Sequence, residues 1–217
     1  MQLLVASRNK HKLKELTALL KDLPLEAVTA TDIRGLSEVV EDGATIRDNA
    51  IKKAVETARA AKKLTLADDT GLEVDALKGE PGVRSARFAG EDATYHENNK
   101  KLLQQLEGVA YDKRTARFRC VVAIADENGL YECVEGICNG AILEAERGGG
   151  GFGYDPLFIA DGQTKTFAEL SPEVKNRISH RAKAMQKAWA VLSRYLRERS
   201  TGGEDDAPPK PPQRERV

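Results

Sequence analysis

Apolar residues along this chain switch repeatedly between a spacing of two and a spacing of three to four, so strand-forming and helix-forming stretches alternate. Gln2–Ala6 is a short apolar run with strand character. Leu13, Leu16, Leu19 and Leu20 then recur at helical spacing within 10–21, behind Asn9 as an N-cap. Thr45 and Asp48 mark the start of a second helix, carried by Ala50, Ala54 and Ala58 to about Lys62. Leu64–Ala67 reads as a strand closed by Asp68-Asp69-Thr70-Gly71. Thr94 caps a helix over 94–106. The runs 115–126 and 130–140 form a hairpin about Glu127-Asn128-Gly129, and 157–159 is a buried strand. A last helix covers 180–197, with Met185, Ala188, Trp189 and Leu192 on its apolar face. This order predicts an α/β domain with a mixed sheet.

The 217 residues suffice for one such domain with a substantial core. The domain is expected to occupy 1–198. Residues 199–217 hold four of the eight prolines and almost nothing apolar, so they read as a disordered tail. No apolar run approaches the ~20 residues that span a bilayer, and the short N-terminal run is followed at once by Arg8 and Lys10, unlike a signal peptide. Cys120, Cys133 and Cys138 are odd in number and lack CxxC spacing, so they read as reduced thiols of a cytoplasmic protein. The 34 basic and 34 acidic residues cancel, which argues against a protein that coats polyanions. The charges are nonetheless segregated. Residues 174–197 carry seven Lys/Arg and no acid, and 122–162 carry eight Asp/Glu and one Arg.

Four clusters bear on chemistry. Ser7-Arg8-Asn9-Lys10-His11-Lys12 lies where a strand feeds a helix, and helix N-termini attract anions; the same pattern equally describes a solvated basic helix face. Glu41-Asp42-Gly43 and Asp68-Asp69 bring carboxylates to positions where α/β folds place ligands, and such oxygen donors suit Mg²⁺. Alternation along an extended segment turns only one of Asp68 and Asp69 directly toward a site. Taken alone, acidic pairs of this kind are more often turns and caps. Gly148 to Gly153 contains a formal G-x-G-x-x-G, yet Asp155-Pro156 and a strand follow rather than a helix, so the dinucleotide reading is rejected. The loop reads better as one presenting Phe152 and Tyr154 as a stacking surface for a base; the alternative, a hairpin-like connection with core aromatics, is weaker because four consecutive glycines cost backbone entropy for nothing. Finally, Lys175, Ser179, His180 and Arg181 supply donors to a carbonyl or phosphate oxygen, or else a solvated helix face.

Six segments, in order, resemble the Ham1/ITPase family of pyrophosphatases for non-standard purine nucleoside triphosphates. They are S-R-N-K-H-K-L-K-E (7–15), V-E-D-G-A-T with N-A-I-K-K-A (40–54), A-D-D-T-G-L (67–72), P-G-V-R-S-A-R (81–87), G-G-F-G-Y-D-P (150–156) and K-N-R-I-S-H-R (175–181). The resemblance covers 2 to about 196. It implies a long central mixed sheet flanked by helices, flooring an active-site cleft between two lobes, and a homodimer. It also implies Mg²⁺-dependent hydrolysis of ITP, dITP or XTP to the monophosphate and pyrophosphate, without nucleic acid or membrane partners. By motif, Ser7, Asn9 and Lys12, with Arg8, Lys10 and His11 around them and Thr70 beyond, would bind the triphosphate. Glu41 and Asp69 would hold the metal, with Asp69 also accepting the proton of the attacking water. Asp68, Lys53, Ser85 and Arg87 would support them. Phe152, Gly153, Tyr154 and Asp155, with His180 and Arg181, would hold and read the base, and Lys175 would contact the nucleotide. Ser7-Arg8 stands where the family usually has Thr-Gly, and Thr70 where Ser is common; both keep a hydroxyl. Two competing readings are a hydrolase for a modified pyrimidine triphosphate and a non-enzymatic nucleic-acid binder using 175–197.

Overall fold

The computed structural model describes residues 1–21 and 24–201. Strand β1 (Gln2–Val5) leads into helix α1 (Lys10–Leu20), whose N-cap Asn9 accepts from the His11 and Lys12 amides. Strand β2 (Glu26–Thr29) pairs parallel with β1. Helix α2 (Ile46–Ala61) begins at the Thr45 cap and ends at Lys62, which is left-handed. Then follow β3 (Thr65–Val74), the short β4 (Pro81–Gly82), and α3 (Tyr95–Gln105) behind a Thr94/Glu97 capping box. The hairpin β5 (Thr115–Asp126) and β6 (Gly129–Ile142), strand β7 (Phe158–Ala160), and helices α4 (Pro172–Ile178) and α5 (His180–Thr201) complete the order.

The sheet runs β2-β1-β3-β5-β6-β7, parallel among the first three and antiparallel beyond, with β4 beside β3. It is the mixed α/β sheet expected. Strand β5 alternates between faces. Cys120, Val122 and Ile124 meet a core shared with Leu16, Leu20, Ala184, Ala188 and Leu192 of α1 and α5. Val121, Ala123 and Ala125 meet Ala50, Ala54 and Ala58 of α2. At its other end Phe118 enters a separate cluster with Phe158, Phe167, Leu102 and Tyr154.

Three expectations need correction. The acidic pair does not close a strand, because β3 runs through it to Val74, held by ten residues of antiparallel pairing with β5. Trp189 is 40% exposed. The buried stripe of α5 centres on Ala184, Ala188, Val191, Leu192 and Tyr195, and at 3.6 residues per turn Trp189 lies roughly 100° from that centre. Helix α5 also continues beyond 198 to Thr201, with Arg199 donating to Asp126 at 2.9 Å. Of the tail expected over 199–217, residues 202–217 lie outside the described residues. All three cysteines are free thiols, and burial pushes Cys120 up to about 12. Among the described residues no helix is long and apolar enough to cross a membrane.

Candidate active site

The cleft exists because β1 is short. It pairs with β3 only at Leu4↔Thr65 and Val5↔Leu66, and β4 takes up the same edge again at Leu72↔Gly82. Residues 67–71 of β3 therefore present an edge without a strand partner, opposite the turn that leads from β1 into α1. This is a switch point of the kind where α/β sheets receive ligands. A cavity of about 250 Å³ opens there, lined among others by Ser7, Asn9, Lys12, Glu41, Lys53 and Asp69.

Alternation along β3 sorts the acids. Asp69 lines the cavity, whereas Asp68 is fully buried beneath it. Asp68 Oδ2 receives Lys12 Nζ at 3.3 Å and Arg181 Nη2 at 3.2 Å, and the Thr70 hydroxyl donates to it at 3.3 Å. Burial pushes the Asp68 carboxyl up, but Lys12 and Arg181 outweigh it and hold the group well below the usual range. Burial likewise opposes the charge of Lys12, and Asp68 and Asp69 reverse the effect and raise it. Asp69 has no salt bridge among the described residues. Its Oδ1 accepts the Thr70 amide at 2.9 Å, and burial raises its pKa against the pull of Lys12 and Lys53, with Glu41 adding to the rise. Glu41 Oε1 meets Lys53 Nζ of α2 at 2.5 Å, and Arg87 Nη2 donates to the Glu41 carbonyl at 3.1 Å. Ser85 is structural: its hydroxyl donates to the Gly82 carbonyl and accepts the Leu72 amide.

The other end of the cleft is aromatic and basic. The Phe152 amide donates to Asp155 Oδ2 at 2.8 Å, and Lys175 Nζ sits on the same oxygen at 2.5 Å. The Phe152 ring packs against Lys175, whose Nζ is 4.9 Å from the ring centre. Tyr154 is buried in the core, where its hydroxyl donates to the Ser85 carbonyl, so only Phe152 of the expected aromatic pair is partly exposed. Lys175 and Arg181 are not on a solvated helix face; both are buried and share Glu15, Lys175 at 2.8 Å and Arg181 through a close contact. His180 is buried against Phe118, with ring centroids 4.6 Å apart. Burial, with Arg181 and Lys175 nearby, holds its pKa well below the ordinary value, so the imidazole is neutral. Its Nδ1 has no partner.

Not every expected residue reaches the cavity. Lys10 is exposed and outside the lining, His11 packs on Phe152 from outside, and Arg87 acts through the Glu41 carbonyl. Arg8 lines the rim, donating to the Leu36 carbonyl. Two functional candidates escaped sequence reasoning. Glu15 lies one helical turn beyond Lys12 inside the first matched segment, and that spacing was the available signal. Tyr95 lines the mouth from α3, and no motif marks it.

Among the described residues no group of three or more His, Cys, Asp or Glu is disposed to hold a metal. The donor set nonetheless fits Mg²⁺. Glu41 and Asp69 offer hard oxygens in one cleft, and this ion typically takes one or two carboxylates and completes its shell with water and phosphate oxygens.

A mixed sheet opened at its switch point, with a basic turn, paired acids and an aromatic slot in one cleft, defines an α/β protein shaped for a nucleotide. Its relatives agree. The Ham1 family profile matches residues 3–191, and the chain belongs to that family. It is 56% identical over 194 residues to the dITP/XTP pyrophosphatase of Desulforamulus reducens, covering 89% of this chain and 96% of that one. Identity to the dITP/XTP pyrophosphatase of Geobacter sulfurreducens is 48%, over 90% and 96% of the two chains. A HAM1 protein from Coxiella burnetii superposes with a TM-score of 0.81 at 38% identity, covering 89% of this chain and 99% of that one. The Staphylococcus aureus Ham1 protein gives 0.80 at 36%, covering 90% and 100%.

Proposed function

We propose that this protein hydrolyses non-standard purine nucleoside triphosphates, ITP, dITP and XTP, to the monophosphate and pyrophosphate, with Mg²⁺, as a cytoplasmic homodimer. The observation that carries the reading is the conjunction in one cleft of a phosphate end, a carboxylate pair and a base end. The names of the relatives agree with it.

Ser7, Asn9, Lys12 and Thr70 take the phosphate oxygens, and Lys12 and Lys53 supply positive charge. Glu41 and Asp69 hold Mg²⁺, which when bound neutralises charge on the triphosphate and on the departing pyrophosphate. Asp69 accepts the proton of the attacking water; burial moves it toward the range useful to a base near neutrality. At the far end the base slides against Phe152. The 6-carbonyl of hypoxanthine or xanthine accepts from Arg181 or His180. Adenine brings an amino donor to the same place and leaves buried donors unpaired, which weakens its binding.

The test is pyrophosphate release over a panel of ITP, dITP, XTP, ATP and GTP with and without Mg²⁺. Release from the first three, poor turnover of ATP and GTP, and loss on chelation are expected. Orthophosphate as product, or equal rates across the panel, would overturn the reading.

A further inference from the structure

Phe152 stands between glycines on a loop whose Gly148, Gly151 and Gly153 all have positive φ; its amide is held by Asp155 Oδ2 at 2.8 Å, which anchors the backbone but does not set the direction of the ring. The ring is fixed from elsewhere. On the cleft floor Lys175 Nζ lies 4.9 Å and Arg181 Cζ 5.7 Å from its centroid. From the rim, His11 of α1 stacks on it at 5.3 Å with an interplanar angle of 19°, and Tyr95 of α3 packs tilted at 6.0 Å. His11 and Tyr95 also meet edge to face at 6.4 Å. Tyr95 is tied down in turn. Asn9 spends its Oδ1 on the His11 and Lys12 amides, which leaves its Nδ2 to donate to the Tyr95 hydroxyl at 3.2 Å. One side chain from α3 therefore touches both the Asn9 cap and the Phe152 ring at the far end of the cleft.

We propose that Tyr95, with His11, is a positioning residue that clasps the Phe152 ring for base stacking. The inference rests on the proposed nucleotide reading and adds to it a specificity element from a helix that none of the matched motifs includes. Without the clasp the glycine loop samples other ring positions, and the ordering has to be supplied by the incoming base. The consequence is selective. Ligands with a base are weakened, whereas a bare polyphosphate, which never reaches Phe152, is not.

The test compares wild type, Tyr95→Ala and Tyr95→Phe in full-length protein. Tyr95 is 40% exposed at the first position of its helix, so alanine is accommodated, and melting midpoints verify folding. The readouts are KM and kcat for ITP, and calorimetric affinities for IMP and for inorganic tripolyphosphate. In Tyr95→Ala we expect the KM for ITP and the Kd for IMP to rise about two- to tenfold, the range a lost aromatic pair converts to. The kcat and tripolyphosphate affinity should stay within about twofold. Tyr95→Phe, which keeps the ring but frees it from Asn9, should fall between. Unchanged IMP affinity, or an equal loss for IMP and tripolyphosphate, overturns the clasp alone. A wild type that neither turns over ITP nor binds IMP overturns the nucleotide reading and the clasp with it.

Discussion

Asp68 and Asp69 are neighbours in sequence with opposite electrostatic fates. Asp68 is buried among Lys12, Arg181 and Thr70 and stays ionised; Asp69 faces the cleft, with a carboxyl raised by burial. Replacing Asp69 with Asn removes the proposed base and one of the two proposed metal ligands. Pyrophosphate release should fall by at least ~100-fold, while the melting midpoint holds or rises because a buried charge has been removed; wild-type turnover in this variant would mean the base lies elsewhere. His180 offers a pH test. Its folded pKa lies well below that of the unfolded chain, so below about pH 6.5 the unfolded state binds a proton that the folded state refuses. Its contribution is complete above that pH and lost as the pH falls, with a slope approaching ~1.4 kcal/mol per unit. Urea midpoints between pH 7.5 and 5.5 should therefore drop more steeply in wild type than in His180→Gln, and parallel curves would refute a neutral buried imidazole.

At the level of elements, the placing of α5 decides where His180 and Arg181 stand. The helix rests directly on β6 because position 136 has no side chain. A Cβ on Gly136 would come within 2.2 Å of the His180 carbonyl oxygen and 2.3 Å of the Ala184 amide nitrogen. Gly136→Ala must lift the first turns of α5 off the sheet. Overpacking of this kind costs about 1–3 kcal/mol, and here it also displaces His180 and Arg181, the residues proposed to read the base. The denaturation midpoint and KM for ITP should both worsen, and a variant as stable as wild type would show that α5 tolerates a looser seat. Gly71 is required for a similar reason: a Cβ there would meet the Gly82 carbonyl at 2.4 Å, where β4 rejoins β3 at the cleft edge.

Across the whole molecule, the segregated charges of the sequence meet in space. Lys175 pairs with Asp155 and Arg194 with Glu132, so the acid-free C-terminal stretch lies against the acidic stretch that precedes it, and just beyond it Arg199 reaches Asp126. The exposed pairs among these are worth little. The buried set is different, since Arg181 joins Glu15 on α1 to Asp68 on β3 from its place on α5. Arg181→Ala takes one of two cationic partners from each acid, leaving Asp68 with Lys12 and Glu15 with Lys175, and should cost up to roughly 3–5 kcal/mol in a denaturant titration. It should also narrow the ITP-to-ATP rate ratio. A folded variant with an unchanged ratio would remove Arg181 from base reading.

The helices capped by Asn9, Thr45 and Thr94, the long hairpin and the mixed sheet were legible from periodicity and caps, because those signals are local. The motif segments likewise led to the cleft, and family membership followed from their order. Local signals could not tell that β3 continues through the acidic pair, since that depends on ten residues of pairing with a strand some fifty positions away. Nor could they separate Phe152 from Tyr154, or show that Lys175 and Arg181 are buried, because burial is settled by what packs on top. Glu15 and Tyr95 were silent for the same reason: each becomes part of the site only when α1, α3 and α5 converge on the free edge of β3. Among the described residues part of the charge balance is likewise a pairing of partners, as in Arg181 with Glu15 and Asp68, and only the folding of distant segments against one another brings those partners together.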